Sequence, residues 1–158
     1  MILRPYLAAD AALTEALETD PVVKRHLGGV LSPAGARAVH RERMAGILAG
    51  DRYWVVEDPE PAGITGVWST PFGAGLIHEV GWMLLPAFHG RGLGRSVAAE
   101  VVARARGDAG ERALHAFPAL DNPASNAICR ALRFERVDDV DLDYAGRPIR
   151  CAHWVLPV

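Results

Sequence analysis

Apolar positions in the first fifty residues recur at helical spacing. Leu13 and Leu17 stand four apart with Ala12 and Ala16 beside them, which predicts a helix over 10–19. Asp20-Pro21 ends it, because the residue before a proline is pushed out of the helical region. Ser32-Pro33 supplies an N-cap and a first-turn proline for a second helix, which runs through ARAVHRERMAGILAG and stops at Gly50. Beyond Gly50 the pattern changes. RYWVVED and GITGVWST are short, rich in β-branched and aromatic residues, and split by Pro and Gly, so they read as a hairpin. IHEVGWMLL is a third strand of this group. GRSVAAEVVARARG reads as a helix ending at Gly107 or Gly110, ALHAF as a strand, and PASNAICRAL as a helix from Pro123. FERVDDVDLDY and IRCAHWVL form a last hairpin turning at Ala145-Gly146. With an opening strand the order is β-α-α-β-β-β-α-β-α-β-β. That mixture argues an α/β fold with a mixed sheet, not a doubly wound parallel one.

At 158 residues and 50% hydrophobic content, one globular domain with a real core is expected. The formal net charge of −2 gives no whole-surface attraction to nucleic acid or to an anionic membrane. No apolar run approaches the roughly 20 residues that cross a bilayer. The start, MILRPYLAADAALTEAL, carries charge and no small-residue cleavage site, unlike a secretory signal. Cys129 and Cys151 show no CxxC spacing, so a reduced, cytoplasmic protein without a metal is expected.

The stretch LLPAFHGRGLGRS, residues 84–96, sits between the third strand of that group and a helix. Successive N–H groups of a glycine turn form a concave anion nest, and a helix N-terminus adds partial positive charge. Two phosphate motifs fail. A P-loop needs Gly at 89 and Lys at 95, where the chain has His89 and Arg95; a dinucleotide fingerprint begun at Gly90 needs Gly at 95.

The pattern H-G-R-G-L-G resembles motif A of the GCN5-related N-acetyltransferase (GNAT) superfamily, Q/R-x-x-G-x-G/A. Gly92 and Gly94 match its small positions, Gly90 and Arg91 match common fillers, and His89 departs from Q/R. GWMLLPAF is similar to the family's strand-then-proline approach, and DNPASNAICRALRF to its N-x-x-S/A…L-G-F segment through Asn122, Ser125, Leu132 and Phe134, with Arg133 for the glycine. The resemblance covers essentially the whole chain and is nearest the branch of ribosomal-protein N-terminal acetyltransferases and small-amine acetyltransferases. It implies a mixed, mostly antiparallel sheet of about seven strands with about four helices and splayed central strands. It implies acetyl-CoA, its pyrophosphate on backbone N–H groups from His89 and Gly90 through Leu93 to Ser96. Arg91 and Arg95 either add charge at the 3′-phosphate or lie at the surface. Pantetheine would pair with backbone at Leu84 and Leu85. Asn122 and Ser125 would hold its arm, unless Asn122 serves as the helix cap.

The implied reaction is acetyl transfer to a primary amine by direct attack in a ternary complex. A lysine-like amine must lose a proton first. Glu79 is the first base candidate; whether it or His78 faces the cleft is not set by periodicity. His115, on the next strand, is the second, unless it is a neutral core histidine. Cys129 stands where the family often has an acidic tyrosine, and Tyr144 is a more distant hydroxyl. Trp54, Trp68, Trp82 and Trp154 fall in strands, at least two of them as core, while any near the cleft would instead line an acceptor pocket. The segment DPVVKRHLGGVLSPAG would close over the acceptor, with Lys24, Arg25 and His26 either meeting its negative charge or simply solvated. Homodimers are common in the family. The alternative to an enzyme is an acyl-CoA-binding sensor or partner module on the same fold.

Overall fold

The computed structural model describes residues 1–106, 113–144 and 146–158. Gly107 and Gly110, where the third helix was expected to end, and Ala145 of the last turn lie outside the described residues. Seven strands form one sheet in the order β1-β2-β3-β4-β5-β7-β6. They are β1 (Ile2–Pro5), β2 (Arg52–Glu57), β3 (Pro61–Phe72), β4 (Gly75–Leu84), β5 (Ala113–Ala116), β6 (Glu135–Tyr144) and β7 (Arg147–Pro157). All neighbours are antiparallel except β4 and β5. The helices are α1 (Ala11–Thr19), α2 (Pro33–Ala49), α3 (Leu93–Arg106) and α4 (Pro123–Ala131). The element order and mixed sheet match the expectation.

Local chemistry sets the helix boundaries. The Ser32 hydroxyl accepts from the Gly35 N–H at 3.1 Å, and Gly50 closes α2 in the left-handed region at φ 111°. Before α1, Asp10 accepts the Leu7 N–H and a two-pronged contact from Arg4 at 2.9 and 2.7 Å. The Arg4 guanidinium holds the Asp10 carboxyl below its usual range.

Strand alternation splits the core across the sheet. On one face, Val56, Val67, Val80 and Leu114 meet the α3 stripe of Val97, Val101 and Ala105 and the α4 residue Cys129. On the other, Val55 and Ile64 meet Tyr6 and Leu17, with Leu13, Met44 and Ile47 packed around them. Trp154 is buried in the first cluster, and Trp54 and Trp82 pack against it.

The feature that positions the site is a parting of strands. β4 pairs with β5 at His78↔Leu114 and Glu79↔His115. Past that point β4 runs on to Leu84, while the chain after β5 stays with β7: Pro118 C=O accepts from Ala152 N–H at 2.9 Å. The stretch Val80–Leu84 therefore keeps β3 on one side and a gap on the other.

Candidate active site

A cavity of about 1120 Å³ runs through this gap. At one end it is lined by His89, Gly90, Gly92, Leu93, Gly94 and Arg95. Leu84, Trp82, Phe117, Asn122 and Ser125 line its middle, and Tyr53, Trp68, Glu79, Arg43 and Tyr144 its far end.

The glycine loop has the geometry of an anion nest. Gly90 and Gly92 have φ of 72° and 76°, and a Cβ on either would point into open space. α3 starts at Leu93, whose side chain is anchored in the core. Gly94, also in the lining, packs closely on α4 as well: a Cβ there would stand 3.2 Å from Ile128 Cδ1. A helix N-terminus and an open cradle at Gly90 and Gly92 fit a diphosphate, whereas the His89 N–H, expected to join them, donates to the Pro86 carbonyl at 3.0 Å.

Two further expected backbone contacts are corrected, and Arg91 and His115 lie apart from the cavity. The Leu85 N–H donates to the Ala62 carbonyl at 2.8 Å, so it faces β3. By antiparallel alternation, Leu84 is the residue whose N–H and C=O face the gap. The Ser96 N–H is closed into α3 by the Gly92 carbonyl at 3.3 Å. Arg91 lies outside the cavity, 3.7 Å from the Asp58 carboxylate and 5.8 Å from the centre of the Phe88 ring. His115 also lies outside the cavity lining. Its Nδ1 is 2.8 Å from His153 Nε2, and the two rings stack. Burial lowers both imidazoles, reinforced at His115 by His78 and at His153 by His115.

His89 donates from Nε2 to the Leu84 carbonyl at 2.8 Å, tying the loop back to the end of β4. Asn122 caps α4, accepting the Ser125 N–H at 3.0 Å, and still lines the cavity. The cap and a place on the cavity wall are thus compatible in Asn122. Cys129 is fully buried in α4, and burial pushes its thiol up to about 12. Cys151 is pushed up to about 11 by burial. Both thiols are free.

Glu79 faces the cavity. Burial raises its carboxyl above the ordinary range, against hydrogen bonds from Thr70, at 2.8 Å, and from Trp68. Its register partner Trp68 lies nearly parallel to Tyr53, at 9° with centroids 5.6 Å apart. Sequence reasoning passed over Tyr53, Asp51 and Arg43. The available signal was Gly66 and Gly81 inside strands, since such glycines mark a close approach. Lys24 is not a solvated loop residue. It is fully buried against Glu18 at 2.7 Å, its ammonium lowered by burial against the attraction of Glu18. Arg43 and the Tyr144 hydroxyl donate to the same carboxylate at 2.9 and 3.2 Å. His26 is 3.0 Å from Asp121. Arg25 is exposed and lines the cavity.

The family description "Acetyltransferase (GNAT) domain" matches residues 1–135. The chain belongs to the GNAT acetyltransferase family. As a GNAT enzyme it is an acetyl-CoA-dependent N-acetyltransferase, and its loop and gap fit that cosubstrate. No curated protein matches the chain. Among solved structures it is similar to a ribosomal-protein-alanine N-acetyltransferase from Brucella melitensis, at 20% identity and TM-score 0.80, covering 100% of both chains. It is also similar to a spermidine N-acetyltransferase from Vibrio cholerae in complex with CoA and spermine, at 14% identity and TM-score 0.79, covering 99% of this chain and 94% of that one. A third is a Salmonella typhimurium acetyltransferase that modifies an N-terminal serine of a ribosomal subunit protein, at 19% identity and TM-score 0.74, covering 99% and 94%. At these identities the likeness is one of fold. Among the described residues, no helix is long and apolar enough to cross a membrane. Among them too, no cluster of three His, Cys, Asp or Glu could hold a metal.

Proposed function

We propose that the chain transfers the acetyl group of acetyl-CoA to a primary amine by direct attack in a ternary complex, with Glu79 taking the amine proton. The observation that carries this reading is the continuous cavity from Gly90 and Gly92 to Glu79. Cosubstrate and acceptor can meet there from opposite ends. When bound, acetyl-CoA supplies the activated acyl group. Gly90, Gly92 and the start of α3 hold its diphosphate, and the Leu84 backbone pairs with its arm. Asn122 and Ser125 line the same path.

Glu79 suits a base because burial raises its proton affinity while leaving it open to the cavity. A backbone N–H on the free edge of β4 is available for charge that develops on the carbonyl oxygen. An acetyl-cysteine route is disfavoured, since Cys129 and Cys151 are buried with thiols pushed up to about 12 and about 11. The proton that Glu79 takes from the amine returns to the departing thiolate, which closes the step. The Tyr53 and Tyr144 hydroxyls line the cavity but are weak donors, because burial raises both well above a thiol, and Tyr144 already donates to Glu18.

Titration calorimetry with acetyl-CoA, ATP and NAD, followed by thiol release across an amine panel, tests the reading. Selective acetyl-CoA binding and amine-dependent thiol release are expected. Equal binding of all three ligands, or no release with any amine, would overturn it.

A further inference from the structure

The far lobe of the cavity has a floor that the reaction itself does not require. Gly66 and Gly81 face each other across β3 and β4. A Cβ on Gly66 would fall 2.6 Å from Tyr53 Cδ1, and one on Gly81 would fall 2.5 Å from Trp68 Cη2. The two rings therefore lean over the paired glycines, offset-stacked on each other with planes 9° apart, and line the cavity. Aromatic faces presented this way attract cations.

Carboxylates flank the floor. Glu79 is the register partner of Trp68 on β4. Asp51, immediately before β2, accepts the Ser69 N–H on Oδ1 at 2.9 Å. Both line the cavity, as does Glu42 of α2. Glu79 and Asp51 thus stand at either side of the β3 residues Trp68 and Ser69, two strand spacings of about 4.8 Å apart, or about 10 Å between backbones. Arg43 of α2 shares Glu18 with Lys24, which leaves one positive charge, and Arg25 adds another, against the three carboxylates Glu79, Asp51 and Glu42. The lobe is left aromatic and net acidic at two separated points.

From this juxtaposition we infer that the acceptor is a small organic amine with a second positive centre. Its reacting amine lies beside Glu79, its chain crosses the Tyr53–Trp68 floor, and its second cation meets Asp51. This deepens the acetyltransferase reading and rests on it. A peptide N-terminus, one cation followed by neutral amides, leaves Asp51 unanswered.

The test compares cadaverine, pentylamine and an alanine-initiated neutral peptide by thiol release from acetyl-CoA. Cadaverine is expected to exceed both in kcat/KM by about tenfold or more, the scale of one charge-assisted contact. That preference shrinks as ionic strength rises. Asp51→Asn keeps an oxygen for the Ser69 N–H and brings the cadaverine-to-pentylamine ratio toward one, through KM rather than kcat. Turnover of pentylamine or the peptide at or above cadaverine would overturn the acceptor assignment alone. So would a preference indifferent to both salt and Asp51→Asn. Acetyl-CoA binding without thiol release from any amine would overturn the acetyltransferase reading and this inference with it.

Discussion

Lys24 Nζ lies 2.7 Å from Glu18 Oε2, and neither side chain is exposed. Arg43 and Tyr144 converge on the same carboxylate, and the Lys24 ammonium stands 3.9 Å from the centre of the Tyr144 ring. One carboxylate from α1 thus binds the segment after α1, helix α2 and the end of β6. Removing its charge leaves two cations facing each other without a counter-ion. Glu18→Gln is expected to destabilise the fold by about 3–5 kcal/mol, the usual result of breaking a buried pair from one side. Lys24→Met is expected to cost less, because Glu18 keeps Arg43 and Tyr144. Urea unfolding of the two variants checks the order.

Arg133 sits where the resembling segment has glycine, and its φ is 66°. The turn that ends α4 requires this conformation: Phe134 N–H returns to the Cys129 carbonyl at 3.0 Å and Arg133 N–H to the Arg130 carbonyl at 3.1 Å. A side chain in the left-handed region costs roughly 1–2 kcal/mol. Glycine relieves that strain but gains freedom in the unfolded chain. Arg133→Gly is expected to stabilise by up to about 1 kcal/mol, a rise in Tm of about 2–4 °C at this size. Thermal unfolding by circular dichroism measures it.

That position shows how far a sequence pattern carries. The departure at Arg133 was visible, while the backbone demand behind it was not. Element order, the Ser32 cap and the strand–loop–helix at 84–96 were legible because each is set by neighbours in the chain. Orientation was less so. Glu79 rather than His78 faces the cavity because β3 pairs Trp68 with Glu79. His115 turns to His153, which lies 38 residues away along the chain. Lys24 reads like its neighbours Arg25 and His26, and only packing from α1 and β6 separates them. Register and long-range packing decide these side chains, and local pattern does not encode either.

The two kinds of glycine in the loop give separable effects. At Gly92, φ is 76° and the space beyond it is open. Gly92→Ala is expected to strain the loop by roughly 1–2 kcal/mol and to place a methyl where the diphosphate approaches. Acetyl-CoA affinity is expected to fall about tenfold or more. Gly94→Ala instead meets the flexible end of Ile128 at 3.2 Å, which can give way. A smaller loss of affinity is expected there. Calorimetric titration of both variants against wild type checks the contrast.

Glu79 carries opposed consequences for activity and stability. Burial raises its carboxyl above the ordinary value of 4.5. A group whose folded pKa is raised favours the protonated folded state, so its contribution is full below the unfolded pKa and is lost as pH rises through the folded one. At neutral pH the charged Glu79 is therefore a liability to the fold. Glu79→Gln keeps an acceptor for Thr70 and Trp68 and removes the charge. The variant is expected to be at least as stable as wild type at pH 7, with its advantage shrinking toward acid. Its turnover is expected to fall about 10²–10⁴-fold, the range of a lost general base. In wild type the kcat/KM limb that rises with pH should include a step above 4.5, and Glu79→Gln should lack that step. Paired pH profiles of thiol release and of unfolding decide it. A Glu79→Gln enzyme with wild-type turnover and an unchanged profile would move the base elsewhere.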